Sequence, residues 1–171
     1  MRDTILTAAI QTLIDRGLND WTVDEVANRA RCAKGLVNYH HKSKQELLMR
    51  CADTIVSHRQ ARRMAALTGR SGAEAIDQLW AALAADVDEG WFGAWIAVNS
   101  DNRLRHAAAT KSSEQASQLA ALVVRAIGQP TESLDATLLV ATLDGLELAL
   151  LHGAGRGGVE EAYHRFWLGV L

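Results

Sequence analysis

Residues 22–46 read TVDEVANRARCAKGLVNYHHKSKQE, and this stretch decides the fold. It opens on Thr22-Val23-Asp24-Glu25, a threonine three residues ahead of a glutamate. In such a capping box the Thr22 hydroxyl accepts the amide of Glu25, and the Glu25 carboxylate reaches back to the amide of Thr22. A helix is therefore expected from about Val23 to about Ala30, burying Val26, Ala27 and Ala30. Ser43-Lys44-Gln45-Glu46 repeats the pattern and opens a long helix through Leu47, Leu48, Cys51 and Ile55 to about Leu67. Between the two boxes, Arg31 to Lys42 leaves room for a tight turn and one further helix of about two turns.

Two short helices joined by a turn, with small Ala27 and Ala30 letting them approach over Val26 and Val37, form a helix-turn-helix arrangement. In that arrangement the second helix lies in the major groove of DNA. Here it would expose Lys34, Leu36, Asn38, Tyr39 and His40. An asparagine can pair with adenine through two hydrogen bonds, while an ammonium or a phenol can grip phosphate oxygens. Lys44 adds its charge to free amides at a helix start, a natural phosphate site, and Thr22 stands at the start of the other helix. A small bundle whose basic residues only solvate it fits the same spacing equally well.

Outward from this stretch, β-branched runs of period two are missing, Ala and Leu dominate, and Pro130 is the one proline. These features predict an all-helical chain of about nine helices. A first helix over Arg2 to Arg16 carries Ile5, Ala8, Ala9 and Leu13 on one face, and Gly17 stands where a left-handed residue ends it. Ser71 with Glu74 reads as a third capping box, and Gly90 interrupts before a helix from Trp91 to Val98. Further helices are expected over Asn102 to Ile127, Glu132 to His152 and Val159 to Leu171, with Gly153 to Gly158 as a flexible connector.

The 171 residues are 49% hydrophobic and 22% charged, which excludes a disordered, collagen-like or disulfide-stapled chain. No run of about 18 apolar residues is present, so neither a membrane span nor a secretory signal is expected. Cys32 and Cys51 lack a CxxC spacing and read as thiols in a reducing cytoplasm. The net charge of −2 hides a division: residues 1–63 hold eleven Lys and Arg against seven acids, +4, whereas residues 64–171 hold seven against thirteen, −6. Such asymmetry favours nucleic-acid contact through the basic part, although a solvated helix face accounts for some of it.

From Thr4 to Leu48 the chain resembles the DNA-binding region of the TetR (tetracycline-repressor-like) family of bacterial transcriptional regulators. The matching pieces are Ala8-Ala9 with Gly17-Leu18, Trp21 to Ala27, Lys34-Gly35-Leu36-Val37, and His40 with Ser43 to Leu48. The sequence departs from the family pattern at four places. Arg31 replaces a turn glycine, so a non-glycine residue is expected in a left-handed conformation. Ala33 replaces a Ser or Thr cap, weakening the recognition helix by about 1 kcal/mol. Asn38 stands at a tyrosine position beside Tyr39, and His41 replaces a phenylalanine.

The resemblance implies a DNA-binding domain over residues 1–46 and an effector-binding and dimerisation domain over 47–171. It implies as partners double-stranded palindromic operator DNA, a small-molecule effector and a second copy of the chain, and as function a ligand-responsive repressor. The last two helices give the dimer reading its residues: Leu139, Leu143, Leu146 and Leu150 recur at helical spacing, as do Tyr163, Phe166, Trp167 and Val170. Two such helix pairs make a four-helix bundle, unless the stripe is simply core. Trp80, Trp91, Phe92 and Trp95 cluster, with Asn99, His106, Asp144 and Glu147 as the nearest polar groups for an effector pocket. Acid beside aromatic is one way to hold a cation, while plain core packing is the simpler account of the aromatics.

Catalysis is not expected, since the sequence has no phosphate-binding glycine loop, no Gly-x-Ser-x-Gly elbow and no metal-spaced His/Cys set. No cofactor and no metal are called for. The rival reading is a helical interaction protein or small-molecule carrier that does not bind DNA.

Overall fold

In the computed structural model the chain is described over residues 1–130 and 134–170, with backbone only over 106–113. The described residues form nine helices and no strand: α1 (Arg2–Arg16), α2 (Val23–Arg29), α3 (Lys34–His40), α4 (Lys44–Leu67), α5 (Gly72–Asp88), α6 (Trp91–Ser100), α7 (Asn102–Ile127), α8 (Ala136–Leu151) and α9 (Arg156–Val170). They gather into two compact units, one of Met1–His58 with Gly93–Thr110, the other of Arg59–Phe92 with Lys111–Leu171.

In the first unit α1 packs on α2 and α3, and α2 on α3. Ile5, Ala9, Leu13, Trp21, Val26, Leu47 and Ile55 are fully buried there. Thr22 caps α2 as expected, its hydroxyl accepting the Glu25 amide at 3.2 Å. The reciprocal half of the box is not made, because the Glu25 carboxylate takes Arg16 at 3.3 Å. Ser43 likewise accepts the Glu46 amide at 3.1 Å. Gly17 ends α1 with φ 70°.

The second unit is built around a single apolar cluster that includes Leu79 and Leu83 of α5, Leu119 and Val123 of α7, Leu139 and Leu143 of α8, and Tyr163 and Trp167 of α9. The buried Tyr163 hydroxyl donates to the Ile76 carbonyl at 2.6 Å, tying α9 to α5.

Three expectations about helix ends are corrected. Ser71 precedes α5 without a side-chain capping bond, since Gly72 follows it at φ 59°, outside the helical region. The start expected at Glu132 lies outside the described residues, and α8 begins at Ala136, where the Asp135 carboxylate accepts the Leu138 amide at 2.8 Å. The glycine connector is shorter than expected. The last helix starts at Arg156, whose guanidinium grips both oxygens of Asp88 at 2.5 and 2.7 Å.

Candidate nucleic-acid interface

The seven-residue α3 is anchored on one side and bare on the other. Val37 is buried, while Leu36 and His40 are half-buried. Lys34 and Asn38 are exposed, and Tyr39 is 80% exposed, a large fraction for an aromatic ring that has core available nearby. A bare tyrosine beside an asparagine offers the donor and acceptor groups that base edges and phosphates take up. The Tyr39 ring meets His40 edge-on at 5.2 Å. Lys34 is paired with Asp24 of α2 at 2.8 Å on the surface, so contact with a phosphate requires a change of partner. Thr22 is exposed, but its hydroxyl is engaged as a cap.

Two features set the pose of this helix. The buried Trp21 indole N–H donates to the Ala9 carbonyl at 2.9 Å, hooking the segment before α2 onto α1. The Lys44 ammonium donates to the Trp21 carbonyl at 2.9 Å and lies 5.3 Å from the centre of the Trp21 ring, pinning the start of α4 to the same point. Lys44 therefore acts first as an internal strut, with two of its three donors left for a phosphate. The turn between α2 and α3 carries Arg31 at φ 53°, the expected left-handed non-glycine, and Ala33 gives α3 no side-chain cap. His41 is 1% exposed, in the family's phenylalanine place. Neither of its ring nitrogens has a partner. Burial, helped by the charge of Arg50, holds its pKa below the usual histidine value. Trp21 entered the sequence reading only as part of the family match and His41 only as a departure from it, neither with a role. The position of Trp21 immediately before a capping box was the available signal.

The two acids expected to bind an effector are already engaged within the second unit. Asp144 and Glu147 are taken by the chain's own cations: Arg59 and Arg63 of α4 both donate to Glu147 Oε2, at 2.6 and 2.5 Å, and both to Asp144 Oδ1, at 3.3 and 2.7 Å. Arg59 also bonds Asp86 of α5 at 3.2 Å and stacks 4.9 Å from the centre of the Phe92 ring. The acid-and-aromatic cage foreseen for a cationic ligand is thus filled by a guanidinium of the protein. A bare carboxylate at these depths is too costly, and an arginine on the facing helix supplies the missing charge. Trp80 packs on Tyr163 at 5.3 Å as core. Trp91 and Trp95 are half-buried. The Asn99 amide is spent on the Trp95 carbonyl of its own helix at 2.9 Å. The His106 side chain lies outside the described residues.

Burial presses on this cluster from both sides. It pushes the Glu147 carboxyl up to about 7, with Asp144 and Asp86 adding to the rise and the two guanidinium groups opposing it. Burial would lower the Arg63 pKa, but the carboxylates of Glu147 and Asp144 outweigh it and raise it.

The residues read as a dimer surface also divide. Leu139, Leu143, Tyr163 and Trp167 are buried in the second unit's own core, and Leu146, Leu150, Phe166 and Val170 pack partly against it. The more apolar face of each helix is consumed within the chain. Leu138, Leu148 and Leu151 of α8 and Leu168 of α9 are instead exposed, Leu168 by 77%.

Residues 5–51, which include α2, α3 and the start of α4, match the model of the bacterial regulatory proteins of the tetR family. No curated protein matches the chain. Among solved structures, a protein described as a TetR-family transcriptional regulator from Rhodococcus sp. superposes with a TM-score of 0.78 at 23% identity, covering 99% of this chain and 97% of its own. The multidrug binding protein EbrR, complexed with imidazole, gives 0.66 at 25% identity over 96% and 88%. A transcriptional regulator from Saccharomonospora viridis in complex with choline gives 0.71 at 19% over 96% and 94%. Fold and interface together are those of a helix-turn-helix protein. Its residues 5–51 are similar to the bacterial regulatory proteins of the tetR family, and over nearly its whole length the chain has the fold of a solved protein described as a TetR-family regulator.

Proposed function

We propose that this regulator is a ligand-responsive repressor of the cytoplasm, binding a palindromic operator as a homodimer and released by a small-molecule effector. The observation that carries the reading is the presentation of α3: Tyr39 and Asn38 bare on a helix whose pose is fixed by Trp21 and Lys44. One seven-residue helix gives weak specificity, whereas two on a two-fold axis read half-sites about one turn of DNA apart, roughly 34 Å. The exposed Leu138, Leu148, Leu151 and Leu168 supply an apolar face for the second copy. Residues 1–46 do the reading and 47–171 the sensing and pairing, with no chemistry of their own. Related folds that hold imidazole and choline support a small-molecule effector. An effector that prefers a conformation with wrongly spaced reading heads lowers operator affinity by population shift.

Operator binding by wild type, Tyr39→Ala and Asn38→Ala tests the reading. Salt-dependent, sequence-selective binding by wild type that each substitution weakens by about tenfold or more is expected. Absence of selective binding by wild type would leave the carrier reading in its place.

A further inference from the structure

The turn that ends α2 closes with the paired hydrogen bonds of a Schellman motif. The Cys32 amide donates to the Ala27 carbonyl at 3.0 Å and the Arg31 amide to the Asn28 carbonyl at 3.1 Å. Those two bonds demand left-handed backbone at residue 31, a conformation that glycine adopts without strain and other residues do not. Arg31 occupies it at φ 53°, and every other positive φ among the described residues belongs to a glycine. The side chain at this position therefore costs stability. It returns none within the fold, because Arg31 is exposed and its guanidinium has neither an acid nor a hydrogen-bond partner among the described residues. Backbone strain of this kind collects where a side chain serves a ligand.

The position of Arg31 says which ligand. It stands three residues before Lys34, and Ala33, Lys34, Gly35, Asn38 and Tyr39 are all exposed, so a bare strip runs from the turn into α3. A Cβ built on Gly35 would meet nothing within 4 Å, which leaves the strip open to a large partner. The other cations beside α3 are engaged: Lys34 is held by Asp24 at 2.8 Å, and Lys44 by the Trp21 carbonyl at 2.9 Å. Arg31 alone among these three offers its whole donor fork with no internal bond to break. The two Schellman bonds fix its backbone in advance, so only side-chain freedom is lost when it binds.

We propose that Arg31 binds a backbone phosphate of DNA at the edge of the groove that receives α3, an inference that rests on the DNA-reading function proposed above. A guanidinium and a phosphate form two parallel charge-assisted hydrogen bonds, which position the protein without reading sequence.

The experiment compares intact wild type with Arg31→Gly, which removes both the strain and the charge, and Arg31→Lys, which keeps both. The probes are a duplex that wild type enriches from a random-sequence pool and a scrambled duplex of equal length. Arg31→Gly should raise the melting temperature by about 2–4 °C and yet weaken DNA binding. Each lost phosphate contact should lower the slope of log affinity against log salt by about 0.9, hence by about 1.8 for a dimer with two reading heads. That slope amounts to about an eightfold loss per head at about 0.1 M salt, fading to none near 1 M, and to the same loss on both duplexes. Arg31→Lys should keep the wild-type slope. A lower melting temperature for Arg31→Gly would show that Arg31 serves the fold and overturn the proposal. An unchanged salt slope, or a loss confined to the enriched duplex, also overturns it. If wild type enriches a duplex and Arg31→Gly binds that duplex equally well, this contact alone is refuted. If wild type enriches none, the regulator reading itself fails and the contact falls with it.

Discussion

Arg63→Met removes one cation from the buried cluster while keeping most of the hydrocarbon stem, so little cavity is created. The Arg63 side chain is 6% exposed and donates to Asp144 at 2.7 Å and Glu147 at 2.5 Å. Without it, Arg59 alone faces Glu147, Asp144 and one oxygen of Asp86. Removing one member of a buried, hydrogen-bonded ion cluster costs about 3–5 kcal/mol because the partners stay buried and under-compensated. Against a total stability of about 5–15 kcal/mol for a chain of this kind, that is a fifth or more. With a urea slope of about 2 kcal/mol/M, the midpoint should fall by about 1.5–2.5 M. Glu147→Leu alone leaves Arg59 on Asp86 and Asp144 and Arg63 on Asp144, so it should cost less than Arg63→Met. The double variant should be about 1–2 kcal/mol more stable than Arg63→Met alone, since the acid that most needed Arg63 has gone with it. Urea unfolding followed by fluorescence of the five tryptophans, at about pH 8 where Glu147 is ionised, measures all four proteins. Single effects that add within about 0.5 kcal/mol, or an Arg63→Met cost below about 1 kcal/mol, refute the reasoning.

Tyr39→Ala and Asn38→Ala should leave the melting temperature nearly unchanged, because both side chains are exposed, while each weakens operator binding by about 1–3 kcal/mol in a fluorescence-anisotropy titration. Trp21→Phe frees the Ala9 carbonyl and should cost about 1–3 kcal/mol by thermal unfolding, with operator affinity falling alongside as the pose of α3 loosens. His41→Phe replaces a buried ring with two unpartnered nitrogens and should stabilise the protein. His41 has a depressed folded pKa, so its contribution is present above the ordinary value of 6.5 and lost as pH falls below it. The substitution should accordingly flatten the acid side of the stability profile, and unaltered acid sensitivity would count against the assignment. Leu138→Glu with Leu168→Glu should yield monomers by sedimentation, since both side chains are exposed in the single chain.

The reading module was legible because its signals are local. A hydroxyl three residues before a glutamate marks a helix start whatever lies around it, and Thr22 and Ser43 both cap where expected. Arg31 was legible for the same reason: the turn geometry admits one backbone conformation, and φ 53° is that conformation. Ser71 failed because the cap also needs helical backbone in the next residue, and Gly72 is free to leave it. Periodicity located the apolar face of α8 without saying what covers it. Leu139 and Leu143 satisfy a dimer seam and a core equally well, and only tertiary packing decided for the core. Asp144 and Glu147 were visible as acids in a leucine-rich helix, but their partners lie 81 to 88 residues away, beyond any local pattern.

That separation also changes the meaning of the charge division. Counted to residue 63, the amino-terminal part carries +4, but Arg59, Arg62 and Arg63 belong to the second unit and are bonded to its carboxylates. Assigned to the compact units, ten basic against eight acidic residues leave the first at +2, and eight against twelve leave the second at −4. Within the first unit Arg16, Arg29, Lys34 and Arg50, four of its ten cations, are each paired with an acid of that unit. Net charge therefore supplies little of the attraction to DNA. Part of the affinity comes from cations that exchange an internal partner for a phosphate, Lys34 leaving Asp24 first among them, and part from the directed groups on α3. An exchange of partners releases fewer counterions than the capture of a free cation. Asp24→Asn, which frees Lys34 without touching α3, should then strengthen operator binding and steepen its salt dependence, and weaker binding would place Asp24 itself on the DNA side of the interface.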